Sequence, residues 1–598
     1  MSRKGKKSSS KTEKRVSRKT VEAVPPAAEL TVEVGQQTAL FPHASRLPVE
    51  LFFLGLLLTW TFLVACFPLR NMDIWWHLRT GQLILERGTV PYFDWFTFID
   101  YDRPWIDLHW GFQILVTWLY RWGGVDLLIL AKSLCLALTI GVAWYASGRS
   151  LPACWKALCW ILPVICLSGR SVVRPEMLSL LYLAVWMYVI SQLSTHPRLI
   201  YLIPLIALLW VNSHALFVLG LVVSGIFVLD YLIRHWAQGR FGIDAPDNSL
   251  PVVTLVRAGV LTVIACFLNP YFEQGFLFPL TLYEKFSVDQ AFYSVRVGEF
   301  QRPLDFIRQH GLWNLFLFSQ VLLAILTFCS FIPLLISKRV NPFRILLFIA
   351  FTHLAIKASR NTAIFALISG IILSDNLSDW LRMAALRKEP SQGETAARSS
   401  LRLLDESLLK NGSSAILLLF LMVSLLAGYW HQWGGEGKVL GLGEQEAWYA
   451  HAASEFAGQP GMPDRAFVSN NGQAAVYIFH NGPEKKVFFD GRLEVNSKET
   501  FQLYEQFQQQ MAYNMANMPD WASLLEDENG QLPAIILDSR FSRNEINGLL
   551  NNPQWRLVFA DQTAAVFLDQ KTADRLELPI ADPTPLMHPP GMTVRENQ

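Results

Sequence analysis

Met72-Asp73-Ile74-Trp75-Trp76-His77-Leu78-Arg79-Thr80-Gly81 follows the first long apolar run and opens a stretch dense in Asp, His and Trp. That stretch, residues 70–124, is about 55 residues long, and loops of such length are more often functional than connective. Ile74, Leu78, Gly81 and Leu85 recur at helical spacing, so a helix is expected here with Asp73 at its N-cap position. Two readings of Asp73 stand side by side: a helix cap, or an acid on the floor of an active site. Asp94, Asp100, Asp102, Asp107 and His109 follow among Trp75, Trp76, Trp95 and Trp105. Carboxylates amid aromatic faces suit carbohydrate chemistry, since a carboxylate can deprotonate an acceptor hydroxyl while rings hold apolar sugar faces. An interfacial aromatic belt would account for many of the same tryptophans.

The chain has 598 residues, 52% hydrophobic and 17% charged, with 21 Trp. That profile excludes an ordinary soluble domain and implies a polytopic membrane protein. The net charge of +2, with localised basic residues, gives no footing for nucleic acid. All seven Cys lie in or beside apolar runs, so neither a disulfide framework nor a zinc site is indicated. Residues 1–46 are polar, with a basic run from Arg3 to Lys19. They are too long and hydrophilic for a cleaved leader and are expected to form a disordered cytoplasmic tail, with contact to anionic lipid as the alternative.

Apolar runs lie near 49–68, 125–147, 151–169, 176–194, 199–213, 215–233, 251–268, 311–336, 341–356, 361–375 and 414–430. His109–Trp122 is ambiguous. At ~1.5 Å per residue it would reach about 21 Å, and its five aromatics suit a helix lying at the interface. With that helix not crossing and the N-terminus cytoplasmic, the loops carrying Arg149/Lys156, Arg198, Arg234/Arg240, Lys338/Arg339/Arg344 and Arg382 to Lys410 all fall inside. The expected fold is therefore mainly α, a bundle of about 11 spans over residues 47–430.

This orientation gathers the other polar clusters on the outer face: Arg170–Glu176, Asn212-Ser213-His214, Asn269–Gly275 with Glu273, Glu299–Arg302 and Lys357–Asn361. Outward basic residues such as Arg174, Lys357 and Arg360 run against the positive-inside rule. Binding a phosphate explains them, and so does ion pairing within the bundle. Residues 431–578 read as a small extracytoplasmic α/β domain, with strands at Ala466–Ser469, Ala474–Phe479, Lys486–Phe489 and Ala534–Leu537 and a hairpin of Trp555–Phe559 with Ala564–Leu568. A Pro-rich tail, 579–598, is expected to be disordered. Asp490 and Arg492 are expected to close a turn by mutual contact. No H-x-x-x-H or C-x-x-C ligand spacing, P-loop or G-x-S-x-G elbow occurs, so no cofactor is indicated and nothing argues for a divalent metal.

An N-in first span, a long outer loop opening on an acid, about eleven spans and a trailing soluble domain resemble the GT-C superfamily of membrane glycosyltransferases. That group includes protein O-mannosyltransferases, lipid A aminoarabinose transferases and oligosaccharyltransferases. More closely, Asp73-x-Trp75-Trp76-His77-Leu78-x-x-Gly81, Arg174-Pro175-Glu176, Trp210-x-Asn212-x-His214, Asn269-Pro270-Tyr271 and Phe489-Asp490-Gly491-Arg492 are similar to a bacterial set of that architecture. The resemblance implies a bacterial plasma-membrane enzyme that uses a polyprenyl-phosphate-linked sugar, with Asp73 as general base. Asp73 is followed by Ile74, where many GT-C enzymes carry a paired Asp-Glu. On this reading His77, Asp94, Asp107, His109, Glu176, Asn212, His214 and Glu273 orient substrate, while Arg174, Lys357 and Arg360 hold the phosphate. A lipid or glycan transporter, or a non-catalytic assembly protein, are the rival expectations.

Overall fold

The computed structural model describes residues 47–99, 103–237, 243–244, 251–311, 314–387, 396–430, 438–513 and 521–587. The basic tail 1–46, Asp100, Asp102, Arg240 and residues 588–598 lie outside the described residues.

The chain is mainly helical, and each apolar run falls on a helix. In order these are α1 (Leu47–Ala65), α2 (Ile74–Arg87), α3 (Trp110–Ala146), α4 (Ala153–Ser168), α5 (Glu176–Gln192), α6 (Leu202–Val211), α7 (Val218–Ala237), α8 (Val252–Phe267) and α9 (Phe272–Val288). Then follow α10 (Gln290–Arg296), α11 (Pro303–His310), α12 (Leu315–Ile336), α13 (Pro342–Lys357), α14 (Thr362–Arg387) and α15 (Ala396–Leu426). Among the described residues five helices are long and apolar enough to cross a membrane alone, and α8 with α9, bent by 92°, make a sixth if taken as one broken span. Shorter apolar helices, α4, α5 and α6 among them, complete the bundle. This is a multi-pass membrane protein. Its core interlocks Trp60, Trp144, Trp160, Trp186 and Trp210, all at 0% exposure.

The stretch that opens on Met72 forms α2, as its periodicity predicts. Its first turn is buried all round, through Ile74, Trp75, Trp76, His77 and Leu78, and Gly81 and Ile84 continue the burial. Gly81 is where α2 meets α3: a Cβ there would overlap Thr117 Oγ1 and the Gln113 carbonyl. Gly81→Ala is expected to destabilise the protein by about 1–3 kcal/mol through overpacking, read as a lower midpoint in thermal unfolding.

Residues 110–122 and the following span are one helix in hydrogen bonding but two in direction. Gly123 (φ −151°, ψ 20°) and Gly124 (φ 60°, ψ −152°) break the helical geometry between them. The Gly124 conformation is open to glycine because it lacks a Cβ. Before the break, Phe112 and Val116 are buried, whereas Leu115, Trp118 and Trp122 are exposed.

The C-terminal region adds α16 (His451–Ala457), β1 (Arg465–Val468), α17 (Asn471–Asn481), β2 (Lys486–Val487), α18 (Lys498–Tyr513), β3 (Ala534–Asp538), α19 (Arg543–Leu550), β4 (Trp555–Ala560), β5 (Ala564–Asp569) and α20 (Gln570–Arg575). The sheet order is β2-β1-β3-β5-β4, with β2, β1 and β3 parallel and β5 and β4 antiparallel. The expected strand Ala474–Phe479 is instead helix α17. Asn470 caps it, its side chain accepting from Gly472 N, so the Asn-Asn-Gly turn starts a helix where it was expected to join strands. The tail from 579 is not disordered throughout. Ala581 N donates to Leu557 O on β4, and Leu586 is buried.

The first loop bridges the edge of this sheet at β2. Thr97 bridges Val487 in parallel, Val487 N donates to Phe96 O, and Phe98 N donates to Val487 O. Trp75, Trp76, Phe96 and Trp105 share one apolar core with Tyr449, Ala474, Tyr477, Val487 and Val566. Loop and C-terminal region thus fold as a unit.

Candidate functional site

Asp73 stands at the N-cap position of α2, yet its side chain makes no capping hydrogen bond. The carboxylate turns to Arg174, 2.5 Å away, on the loop between α4 and α5. Arg174 also pairs with Glu299, and its Nε donates to Asn71 Oδ1 at 3.3 Å. Arg170 lies 2.9 Å from Glu176 and 3.2 Å from Glu299. One guanidinium therefore serves two acids of different character. Glu299 is held well below the usual carboxylate range: burial opposes ionisation, but Arg174, Arg170 and Arg360 overcome it. Asp73 is raised, by burial first, against the pull of Arg174 and with the help of negative Glu299 and Asp490. Solvent still reaches 28% of the Asp73 side chain. An accessible acid with a raised pKa beside one kept ionised is an arrangement suited to accepting a proton.

Arg360 joins this group. Its guanidinium sits 5.0 Å over the Phe300 ring, and it lines a cavity of about 20 Å³ with Arg170 and Glu176. Among the described residues no carboxylate lies within ion-pair distance of Arg360. Ser359 anchors the turn, its hydroxyl donating to the carbonyls of Gly298 and Glu299. Lys357, the last residue of α13, is exposed, and its carbonyl accepts from Gln290. Glu273 is exposed on the first turn of α9. Neither meets the Asp73 group in a hydrogen bond or ion pair among the described residues.

Behind Asp73 lies a row of imidazoles. His109 Nδ1 is 3.1 Å from Asp107 Oδ1, and its ring is 5.7 Å from His77 and 5.4 Å from His214. Burial would depress the His109 pKa, but the hydrogen bond and charge of Asp107 raise it. His77 is driven well down, first by burial, then by the charges of His109 and Arg174. His214 Nδ1 meets Ser179 Oγ at 2.8 Å, and Trp210 Nε1 donates to the same hydroxyl at 2.8 Å. Asn212 ties three helices: its Oδ1 accepts from Trp110 Nε1 at 3.0 Å, and its Nδ2 donates to the carbonyls of Leu208 and Leu268.

Asp94 has a different setting. Its oxygens accept from Phe96 N, Thr97 N, the Thr97 hydroxyl and Arg492 Nη2, the last at 2.7 Å. Arg492 also donates to Asp490 at 2.6 Å, and all three side chains have 0% exposure. Burial would raise the Asp94 pKa; Arg492 outweighs it and the pKa falls. This triad clamps the first loop to the C-terminal region. It also brings Gly491 against Asp73, where an added Cβ would lie 3.2 Å from Asp73 Oδ1. The expected Asp490–Arg492 contact exists, but its third member, 398 residues away, has no sequence signal. Glu299 likewise gave no sign of bridging Arg170 and Arg174. Among the described residues no three His, Cys, Asp or Glu are grouped to hold a metal ion. A second, larger cavity of about 430 Å³ lies at the opposite ends of α5 and α13, and its Arg234–Asp230 and Arg344–Asp379 pairs are closed at 2.7 and 2.6 Å.

No family model matches the chain, and no curated protein does. Solved structures do. The oligosaccharyltransferase of Archaeoglobus fulgidus in complex with Zn and sulfate aligns with TM-score 0.53 at 9% identity, over 89% of this chain and 74% of its own. The same organism's AglB, in complex with an inhibitory peptide and a dolichol-phosphate, aligns with TM-score 0.50 at 11% identity, over 84% and 70%. The chain shares the fold of these two oligosaccharyltransferase structures. ArnT from Cupriavidus metallidurans, bound to undecaprenyl phosphate, aligns with TM-score 0.45 at 14% identity, over 86% and 97%. Within this fold the Asp73 group sits where the first loop, the start of α5, the turn after α13 and the C-terminal region converge.

Proposed function

We propose that the protein is an integral-membrane glycosyltransferase that moves a sugar from a polyprenyl-phosphate donor to a glycan, lipid or protein acceptor at the outer face. The observation that carries this reading is the Asp73–Arg174–Glu299 arrangement, in which one reachable acid is poised to take a proton and its neighbour is not. Asp73 is the general base. Arg360, with no carboxylate partner among the described residues, meets the leaving phosphate, and Lys357 approaches from the exposed end of α13. Arg174 holds Asp73 in place and shares its charge with the same phosphate. Asp107 and His109 orient the acceptor, while His77, Asn212 and His214 fix the helices beneath it; Asp94 supports the loop, and Glu273 meets substrate at the rim. The capture of AglB with a dolichol-phosphate supports a polyprenyl-phosphate donor. The positions of the basic loops support about eleven spans with a cytoplasmic N-terminus and an extracytoplasmic C-terminal region.

The test is donor turnover. Purified protein in lipid nanodiscs, given a pool of polyprenyl-phosphate-linked sugars and cell-envelope acceptors, is expected to release free polyprenyl phosphate with time. No release from any donor in the pool would sink the reading in favour of a non-catalytic assembly role.

A further inference from the structure

Three buried acceptor atoms, on the first loop, on α3 and on the loop after β2, have no hydrogen-bond partner. Asp107, at 0% exposure, uses Oδ1 for the backbone and ring nitrogens of His109, but its Oδ2 is unmatched. Glu494 Oε1 and Gln113 Oε1 are unmatched as well. These groups converge. The Arg492 guanidinium lies 4.4 Å over the Trp105 ring, which sets Glu494 and Asp107, each two residues further along, in one neighbourhood; burial first, then the charge of His109, acts on the Glu494 carboxyl. Gln113 Nε2 is 3.4 Å from His77 Nδ1, whose ring neighbours His109. Unspent donors lie nearby as well: Trp76 Nε1, Trp105 Nε1 and Arg492 Nη1, the last on a guanidinium seated over the rings of Trp105 and Phe96 at 4.4 and 5.0 Å. Buried acceptors are costly to leave unmatched, and native proteins keep such groups where a ligand or water completes them.

Glu494 reaches this place through the loop that also covers Asp73. Asp490 and Arg492 are locked to Asp94, Asn496 Nδ2 donates to the Asp490 carbonyl at 3.0 Å, and Gly491 abuts Asp73. The loop thus holds Glu494 three residues from the point where it touches Asp73.

We propose that Glu494 and Asp107, one from each end of the chain, form a saccharide-acceptor subsite whose two free carboxylate oxygens take the hydroxyl donors of a sugar and present one hydroxyl to Asp73. The proposal rests on the reading of this face as a glycosyl-transfer site. It makes the acceptor a glycan and gives the C-terminal region a part in choosing it.

The experiment uses full-length protein in nanodiscs, titrated separately with a methyl glucoside, with glucosamine and with undecaprenyl phosphate, following tryptophan fluorescence. Wild type is compared with Glu494→Gln and Asp107→Asn. The Asn variant keeps an Oδ1 acceptor for His109. Both variants are expected to bind the methyl glucoside about tenfold or more weakly and undecaprenyl phosphate unchanged. Glu494→Gln is expected to melt no lower than wild type, because it keeps the shape of a side chain whose Oε1 makes no hydrogen bond. A lower melting point with unchanged glucoside binding would make Glu494 structural and overturn the proposal. So would a parallel loss of undecaprenyl phosphate, which would place the pair on the donor side. Salt-sensitive binding of glucosamine without methyl glucoside would overturn the hydroxyl assignment. If wild type binds undecaprenyl phosphate but no glucoside, the subsite fails while the donor reading stands. If glucoside binds and depends on Glu494 while undecaprenyl phosphate does not bind, the subsite stands and the donor reading fails.

Discussion

Asp73→Asn is expected to lower glycosyl transfer by about 10²–10⁴-fold in a protein that still folds. Asn has the same shape, and the Asp73 side chain contributes no cap bond to α2 that the change could remove. The backbone contact from His77 N to Asp73 O is untouched. Arg174 loses one partner but keeps Glu299 and Asn71. The measurement pairs polyprenyl-phosphate release with a melting curve. Transfer at the wild-type rate would remove Asp73 from the base role, whereas lost transfer with a collapsed melting point would assign it to folding.

Arg492→Ala has the largest expected effect on stability, about 3–5 kcal/mol. It leaves the carboxylates of Asp94 and Asp490 facing each other at 0% exposure with no counter-charge. It also empties the space over Trp105 and Phe96. Limited proteolysis is expected to free the C-terminal region first, because the triad is a clamp between it and the first loop. Resistance equal to wild type would mean that the shared apolar core holds the two together without the triad.

Much of the frame was legible in the chain. Runs of the right length became helices because a membrane helix satisfies its own backbone, and this leaves a strong local signal. Strand β3 and the β4–β5 hairpin fell where their apolar patterns put them. Ala474–Phe479 did not, because six apolar residues carry no periodicity that separates a strand from a buried helix; the Asn470 cap decided it. The candidate site divides along the same line. Asp73, Arg174, His109 and Arg360 announced themselves as polar residues at the ends of apolar runs. Glu299 as their counter-ion, Asp94 as the partner of Arg492, and Glu494 beside His109 are contacts between distant segments. One sequence holds no trace of those pairings.

The seam between the first loop and the sheet also sets an order of events during synthesis. Asp94 leaves the ribosome 398 residues before Arg492, so at about 5–20 residues per second it waits roughly 20–80 s for its partner. Throughout that interval the edge at 96–98 lacks Val487, and Trp75 has Tyr120 of α3 but lacks Tyr449 and Phe479. The Asp73 loop is made early and the sheet late, so the seam between them closes only after the C-terminal region has emerged and docked. A premature stop between α15 and β2 would leave the edge at 96–98 without Val487 and the Asp94 carboxylate without Arg492.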